Sequence, residues 1–151
     1  MLGGADMKNF KMKLICTLLA ICVANIGIAS SALAGNVVIV HPKNNAKISE
    51  KDLKRLYLAK KKKFSNGDAA MPLNHKDNVD IRVAFDKEMA GKSPSQMKSY
   101  WAKLVFTGKE VPFKQVENDA EMIELVSKNE SVIGYVDESA VTGDVKVVLK
   151  F

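Results

Sequence analysis

The spacing of apolar and polar residues changes several times along the chain, and each change marks an element. Asn36 to His41 (NVVIVH) is a short, nearly continuous apolar run, the pattern of a strand buried in a parallel sheet. Pro42 to Lys47 is a polar connection. Ser49 then opens a helix, with Asp52 as capping partner and Ile48 and Leu53 at the hydrophobic-staple positions. Leu53, Leu56 and Tyr57 share one face of that helix, which ends in a lysine run and the turn Ser65-Asn66-Gly67-Asp68. Ala70 to Asn74 is predicted as a second strand. A second helix starts near Asn78, carries Ile81, Ala84, Phe85 and Met89 inward, and stops at Gly91. Ser93, Pro94 and Gln96 signal the next helix start, followed by an apolar stripe of Met97, Trp101, Leu104 and Val105 that ends at Gly108. Phe113 to Val116 is a brief strand. Asn118 with Glu121 caps a further helix that buries Met122, Leu125 and Val126. Ser131 to Val136 reads as a strand. Val145, Val147, Leu149 and Phe151 alternate, as in a half-buried edge strand. The order β-α-β-α-α-β-α-β-β predicts an α/β sandwich with a mostly parallel sheet flanked by helices.

The first 34 residues are expected to stand outside this fold. Lys8, Lys11 and Lys13 make a basic segment, Leu14 to Ile28 is mostly apolar, and Ala32-Leu33-Ala34 fits a cleavage site before Gly35. This is the layout of a secretory signal peptide, and Met7 would begin a more typical one than Met1. A membrane span fits less well, because Asn25 and Gly27 break the apolar run and Ser30-Ser31 ends it. Both cysteines, Cys16 and Cys22, fall in this segment, each after an isoleucine where a lipoprotein signal needs a small residue. The mature domain, residues 35–151, would then hold no disulfide, thiolate metal site or cysteine nucleophile. Its expected location is the periplasm of a Gram-negative bacterium.

Removing 34 of the 151 residues leaves 117, enough for one domain with a real core. These carry 20 basic and 16 acidic residues, a net charge of +4. Much of it is local, in Lys60 to Lys63. A run of that kind is ordinarily a solvated loop; it also suits an anionic membrane surface or an acidic partner, while nucleic acid is not expected outside the cytoplasm.

The most informative stretch is Met71 to Phe85 (MPLNHKDNVDIRVAF), a strand that turns through polar residues directly into a helix. Such a turn leaves the first helical N–H groups unpaired, and with the helix dipole they favour an anion. His75, Lys76, Asn78 and Arg82 surround it, and Arg82 offers a two-pronged contact to an oxyanion. The plainer reading has Asn78 capping the helix, Asp80 answering the dipole, and Arg82 solvated or paired with Asp86 at i,i+4. Elsewhere the chemistry is sparse. His41 and His75 lack ligand-spaced partners for a metal. Ser49, Ser93 and Ser131 suit caps or turns, Glu50 and Asp52 suit a helix start, and Phe106-Thr107-Gly108-Lys109 is a helix stop rather than a phosphate loop. Tyr100 and Trp101 suit a ligand wall or, at helical spacing with Met97 and Leu104, a core. No catalytic residue, metal site or cofactor is expected.

Taken in order, VVIVHPKN, ISEKDLKRLYLAKKKKFSNG, PLNHKDNVDIRVAFDKEM, SYWAKLVFTGK and AEMIELVSKNESVIGYV resemble one lobe of a phosphate-type periplasmic substrate-binding protein. The resemblance covers almost all of residues 35–151 and implies a single lobe of the periplasmic-binding-protein type II fold. It also implies phosphate or a related oxyanion as ligand, and an ABC transporter or another periplasmic protein as partner. In that family the strand–helix turn carries an arginine and then Ser-Gly-Thr. Here His75 falls at the arginine, and Val79, Asp80 and Ile81 fall at Ser-Gly-Thr; the lysine run replaces a tryptophan-bearing loop. Arg82 matches a basic residue of shorter relatives. The candidate ligand-binding residues are thus His75, Lys76, Asn78, Asp80 and Arg82. Asp80 would compete with a bound anion. The glycine-rich half that would supply an opposite wall has no counterpart, so the alternative expectation is an interaction module that keeps the fold without the ligand.

Overall fold

The computed structural model describes residues 35–151, so the expected signal peptide, Cys16 and Cys22 lie outside the described residues. Strand β1 (Asn36–Val40) runs through the middle of a four-stranded sheet. Helix α1 (Glu50–Tyr57) follows, then two short strands, β2 (Met71–Pro72) and β3 (Asn74–His75). Helices α2 (Asp80–Glu88) and α3 (Pro94–Phe106) come next, then β4 (Gln115–Val116) and α4 (Asp119–Lys128). Strand β5 (Val132–Asp137), a short 3-10 turn (Glu138–Ala140) and β6 (Lys146–Lys150) complete the domain. These residues belong to one compact unit.

The sheet order is β2-β5-β1-β6, and β3 leaves it to pair with β4 in a separate two-stranded ribbon. The expectation of a mostly parallel sheet is corrected here. β1 is antiparallel to both β5 and β6, and only the β2–β5 and β3–β4 pairs are parallel. The reason is physical: a continuous apolar run reports burial on both faces and carries no information on strand direction. Burial on both faces is what β1 has. Val37 and Ile39 pack with Met122 and Val126 of α4 on one side. Val38 and Val40 pack with Leu53, Leu56 and Tyr57 of α1 and Phe85 of α2 on the other.

Helix ends follow their local chemistry. The Ser49 hydroxyl accepts from the Asp52 amide, Ser93 and Gln96 form a complete capping box, and the Asn118 side chain accepts from the Glu121 amide. Strand β6 departs from clean alternation. Its register with β1 shifts between Val38 and Ile39, where Val38 faces Leu149 and Ile39 faces Val147. Val148 is the extra residue of this bulge. Val145 therefore joins the α4-side core, Leu149 and Phe151 join the opposite one, and Val147 is exposed.

Gly134 of β5 allows the closest approach in the core. A Cβ there would lie 2.9 Å from Met122 Cγ and closer still to its Sδ, so the absence of a side chain lets α4 settle on the sheet. On the other face Tyr57 donates its hydroxyl to the carbonyls of Leu73 and Ile133 at 3.0 and 3.2 Å, tying α1 to β5 and to the β2–β3 link. Phe85 stacks on Tyr135 with ring centroids 4.0 Å apart. These contacts fix the position of the β3–α2 turn.

Candidate functional site

The turn from β3 to α2 opens on a groove of about 1140 Å³. Asn74, Asp77, Arg82 and Asp86 form one side, Met97 and Trp101 of α3 the other, and Phe113 and Gln115 close one end. Trp101 is half-buried, with its ring edge-on to Phe113 at 4.8 Å. It therefore serves as core and as groove wall together.

Asn78 does not cap α2. Its backbone has φ +69°, the left-handed conformation that asparagine tolerates, and it turns the chain into the helix. The N-cap position belongs to Val79, which has no side chain able to accept a hydrogen bond. Among the α-helices of the described residues, α2 alone lacks a side-chain cap. Its first amides face the turn without a protein acceptor from that position. Asp80, exposed in the first helical turn, and Asp77, whose side chain is 69% exposed, place two carboxylates beside them.

The cations expected to meet an anion are mostly engaged inside the protein. Arg82 is buried. Its Nε donates to Asp86 Oδ2 at 2.8 Å, its Nη1 donates to the His75 carbonyl at 3.2 Å, and Asp77 Oδ1 lies 3.7 Å away. The i,i+4 pairing with Asp86 is thus realised. Burial pushes the Asp86 carboxyl above its ordinary value of 3.8, and the neighbouring guanidinium offsets this only in part. Asp86 Oδ1 has no hydrogen-bond partner. Lys76 pairs with Glu117 at 2.5 Å on the surface. His75 points away from the turn. Its Nε2 donates to the Tyr135 carbonyl at 2.9 Å and lies 3.4 Å from Asp119 Oδ1.

A buried polar network thus underlies the turn. The Tyr135 hydroxyl donates to Asn74 Oδ1 at 3.2 Å and accepts from the His75 amide at 3.4 Å. Burial holds the Tyr135 hydroxyl well above its usual range, so it stays protonated as a donor. Asn74 and Tyr135 escaped the sequence reading because their roles need β3 and β5 to be side by side. Of the five candidates, His75 and Arg82 brace the turn from beneath. Lys76, Asn78 and Asp80 lie at its surface, and Asn78 and Arg82 also line the groove.

No protein-family model and no curated protein matches the chain. Solved structures do. An ABC-type phosphate transport receptor from Vibrio cholerae superposes with a TM-score of 0.60 at 15% identity, covering 76% of this chain and 45% of the receptor. The fold is that of one lobe of a periplasmic-binding-protein-type structure. A Clostridium perfringens protein assigned as a phosphate ABC transporter substrate-binding protein, solved with bound phosphate, gives 0.61 at 22% identity, covering 76% and 44%. PstS from Borrelia burgdorferi gives 0.56 at 12%, covering 76% and 46%. The chain spans less than half the length of each of these proteins.

Ser49 and Ser93 are occupied as helix caps, and Ser131 takes part in a turn closed by Asn129 Oδ1. His41 closes its own turn by accepting from the Lys43 amide.

Proposed function

We propose that this protein is an exported, non-catalytic solute-binding lobe that takes phosphate or a related oxyanion at the mouth of the α2–α3 groove. The observation that carries this reading is the uncapped N-terminus of α2 beside that groove, in a fold otherwise met in phosphate receptors. The ion would sit on the amides that follow Asn78, with the exposed Lys98 as counter-charge and, as a further donor, the second N–H of the Gln115 amide, whose first holds Asp77 Oδ1 at 3.3 Å. Arg82 acts from below as a positioning residue, holding the turn through the His75 carbonyl. The protein would work in the periplasm, with an ABC transporter as the natural recipient of the solute.

Calorimetry of the 35–151 domain at low ionic strength tests this. A saturable, salt-sensitive heat with phosphate supports it, and no heat up to about ten millimolar removes it. A second reading, a periplasmic interaction module that has kept the fold and lost the ligand, is favoured by a specific observation: Arg82 and Lys76 already hold carboxylates of this same chain, and Asp77 and Asp80 flank the amides. That reading predicts a silent titration with every oxyanion.

A further inference from the structure

The groove's outer wall, α3, carries a feature that solute binding does not use. Its last residue, Phe106, is 93% exposed, and Val111, just past the Gly108 turn, is 80% exposed. Val105, beside Phe106, is also exposed. A phenylalanine this free of contacts contributes little to packing, and apolar side chains of this size ordinarily leave water.

These tips stand in a field of lysines. From Ala90 through Lys109 the chain has four lysines and no acidic residue, and Lys60 to Lys63 add four more. The two segments are joined in space. The Tyr100 hydroxyl donates to the Leu58 carbonyl at 2.7 Å, and Lys62 pairs with Glu110 at 2.8 Å. Two carboxylates answer these eight lysines: Glu110, and Asp52, which pairs with Lys61 at 2.7 Å. The remainder of residues 35–151 holds 12 basic and 14 acidic residues, so the domain's net positive charge comes from these two segments. Lys103 and Lys109 are exposed beside Phe106, and Lys62 keeps most of its side chain in water.

We infer that this face docks on an anionic phospholipid surface, with Phe106 and Val111 entering the headgroup boundary and Lys62, Lys103 and Lys109 meeting the lipid phosphates. Phe106 stands at the rim of the groove and Val111 on the turn beyond it, and both project outward rather than filling a hollow. That arrangement suits a fluid bilayer better than a shaped protein partner. Long lysine stems let the ammonium groups reach the headgroup level while the apolar tips go deeper. The assignment is independent of whether the groove binds a solute.

The test is co-sedimentation of the 35–151 domain with vesicles of phosphatidylethanolamine and phosphatidylglycerol, and with vesicles of phosphatidylcholine alone. Binding is expected on the first and not the second, falling steeply with salt. Each lysine near such a surface contributes about a fivefold factor, so Lys103→Ala with Lys109→Ala should lower partitioning about 25-fold. Phe106→Ser should lower it about tenfold. Lys43→Ala, away from the face, should leave it unchanged. All four positions are exposed, and an unchanged melting curve verifies that each variant folds. Absence of binding to the anionic vesicles at low salt overturns the proposal, as does equal binding to phosphatidylcholine or binding indifferent to Phe106→Ser and the lysine pair. Binding of polyglutamate without binding of vesicles would reassign the face to an acidic protein.

Discussion

The buried pair Arg82–Asp86 is where a ligand role and a structural role for the arginine make opposite predictions. Arg82 is 5% exposed and Asp86 3%, and Arg82 Nη1 also holds the His75 carbonyl. Arg82→Ala leaves the Asp86 carboxylate buried without a counter-charge, and both of its oxygens then lack a partner. Removing one member of such a pair costs about 3–5 kcal/mol. A 117-residue domain has a total stability of roughly 6–17 kcal/mol, so the loss is a large fraction of it. Replacing both residues, Arg82→Met with Asp86→Leu, removes the stranded charge and should return to within about 2 kcal/mol of the parent. Urea denaturation of the parent, Arg82→Met, Asp86→Leu and the double variant closes the cycle, and a coupling of about 2 kcal/mol or more is expected. If Arg82→Ala costs less than about 1 kcal/mol yet abolishes a phosphate titration, the guanidinium is a ligand group and the bracing role assigned to it is wrong.

Other predictions follow from single features. Asp80→Asn removes a negative charge from the first turn of α2; if the helix amides take an anion, phosphate affinity should rise about two- to fivefold in calorimetry, and an unchanged affinity would place the ion elsewhere. Gly134→Ala should destabilise the domain by about 1–3 kcal/mol in denaturant melts, because Met122 is fully buried and must move. The pH dependence has two opposed parts. Asp86 has a folded value raised above 3.8, so its contribution is fully present below that pH and lost as pH rises through the raised value. Asp52 is held below 3.8 by hydrogen bonds from Lys61 and Ser49, so its contribution is present above 3.8 and lost as pH falls through the lowered value. Acid melts should therefore flatten at the low end in Asp52→Asn and lose their decline toward neutral pH in the Arg82→Met, Asp86→Leu double variant.

What could be read from the chain was what is decided locally. The caps at Ser49, Ser93 and Asn118 depend on side chains within three residues of the amides they meet, and all three form as expected. The Arg82–Asp86 bond is one helical turn long, and spacing offered it as one of the places Arg82 could take. Asn78 shows the limit of local reading, since asparagine suits both an N-cap and a left-handed turn, and the entry angle of α2 chooses the second. The antiparallel placement of β1 and the bulge at Val148 are set by which strands meet, and hydrophobic spacing is silent on that. The groove escaped for the same reason: Asn74, Trp101 and Phe113 come from elements far apart in the sequence.

An anion on the α2 amides would be covered from one side only, and this sets the affinity to expect. A unit charge 4 Å away contributes about 1 kcal/mol in bulk water and about 4 kcal/mol at the effective dielectric of a partly enclosed site. Asp77 and Asp80 subtract terms of the same size at an open mouth, so the net attraction is small and a constant no tighter than millimolar is expected. Enclosing the same ion strengthens each contact several-fold and, if those contacts outnumber the two carboxylates, brings the constant toward micromolar. A micromolar phosphate affinity measured for residues 35–151 alone would therefore mean that α3 and its basic rim close over the turn without help. A millimolar value would mean that whatever covers the groove supplies the rest of the binding energy.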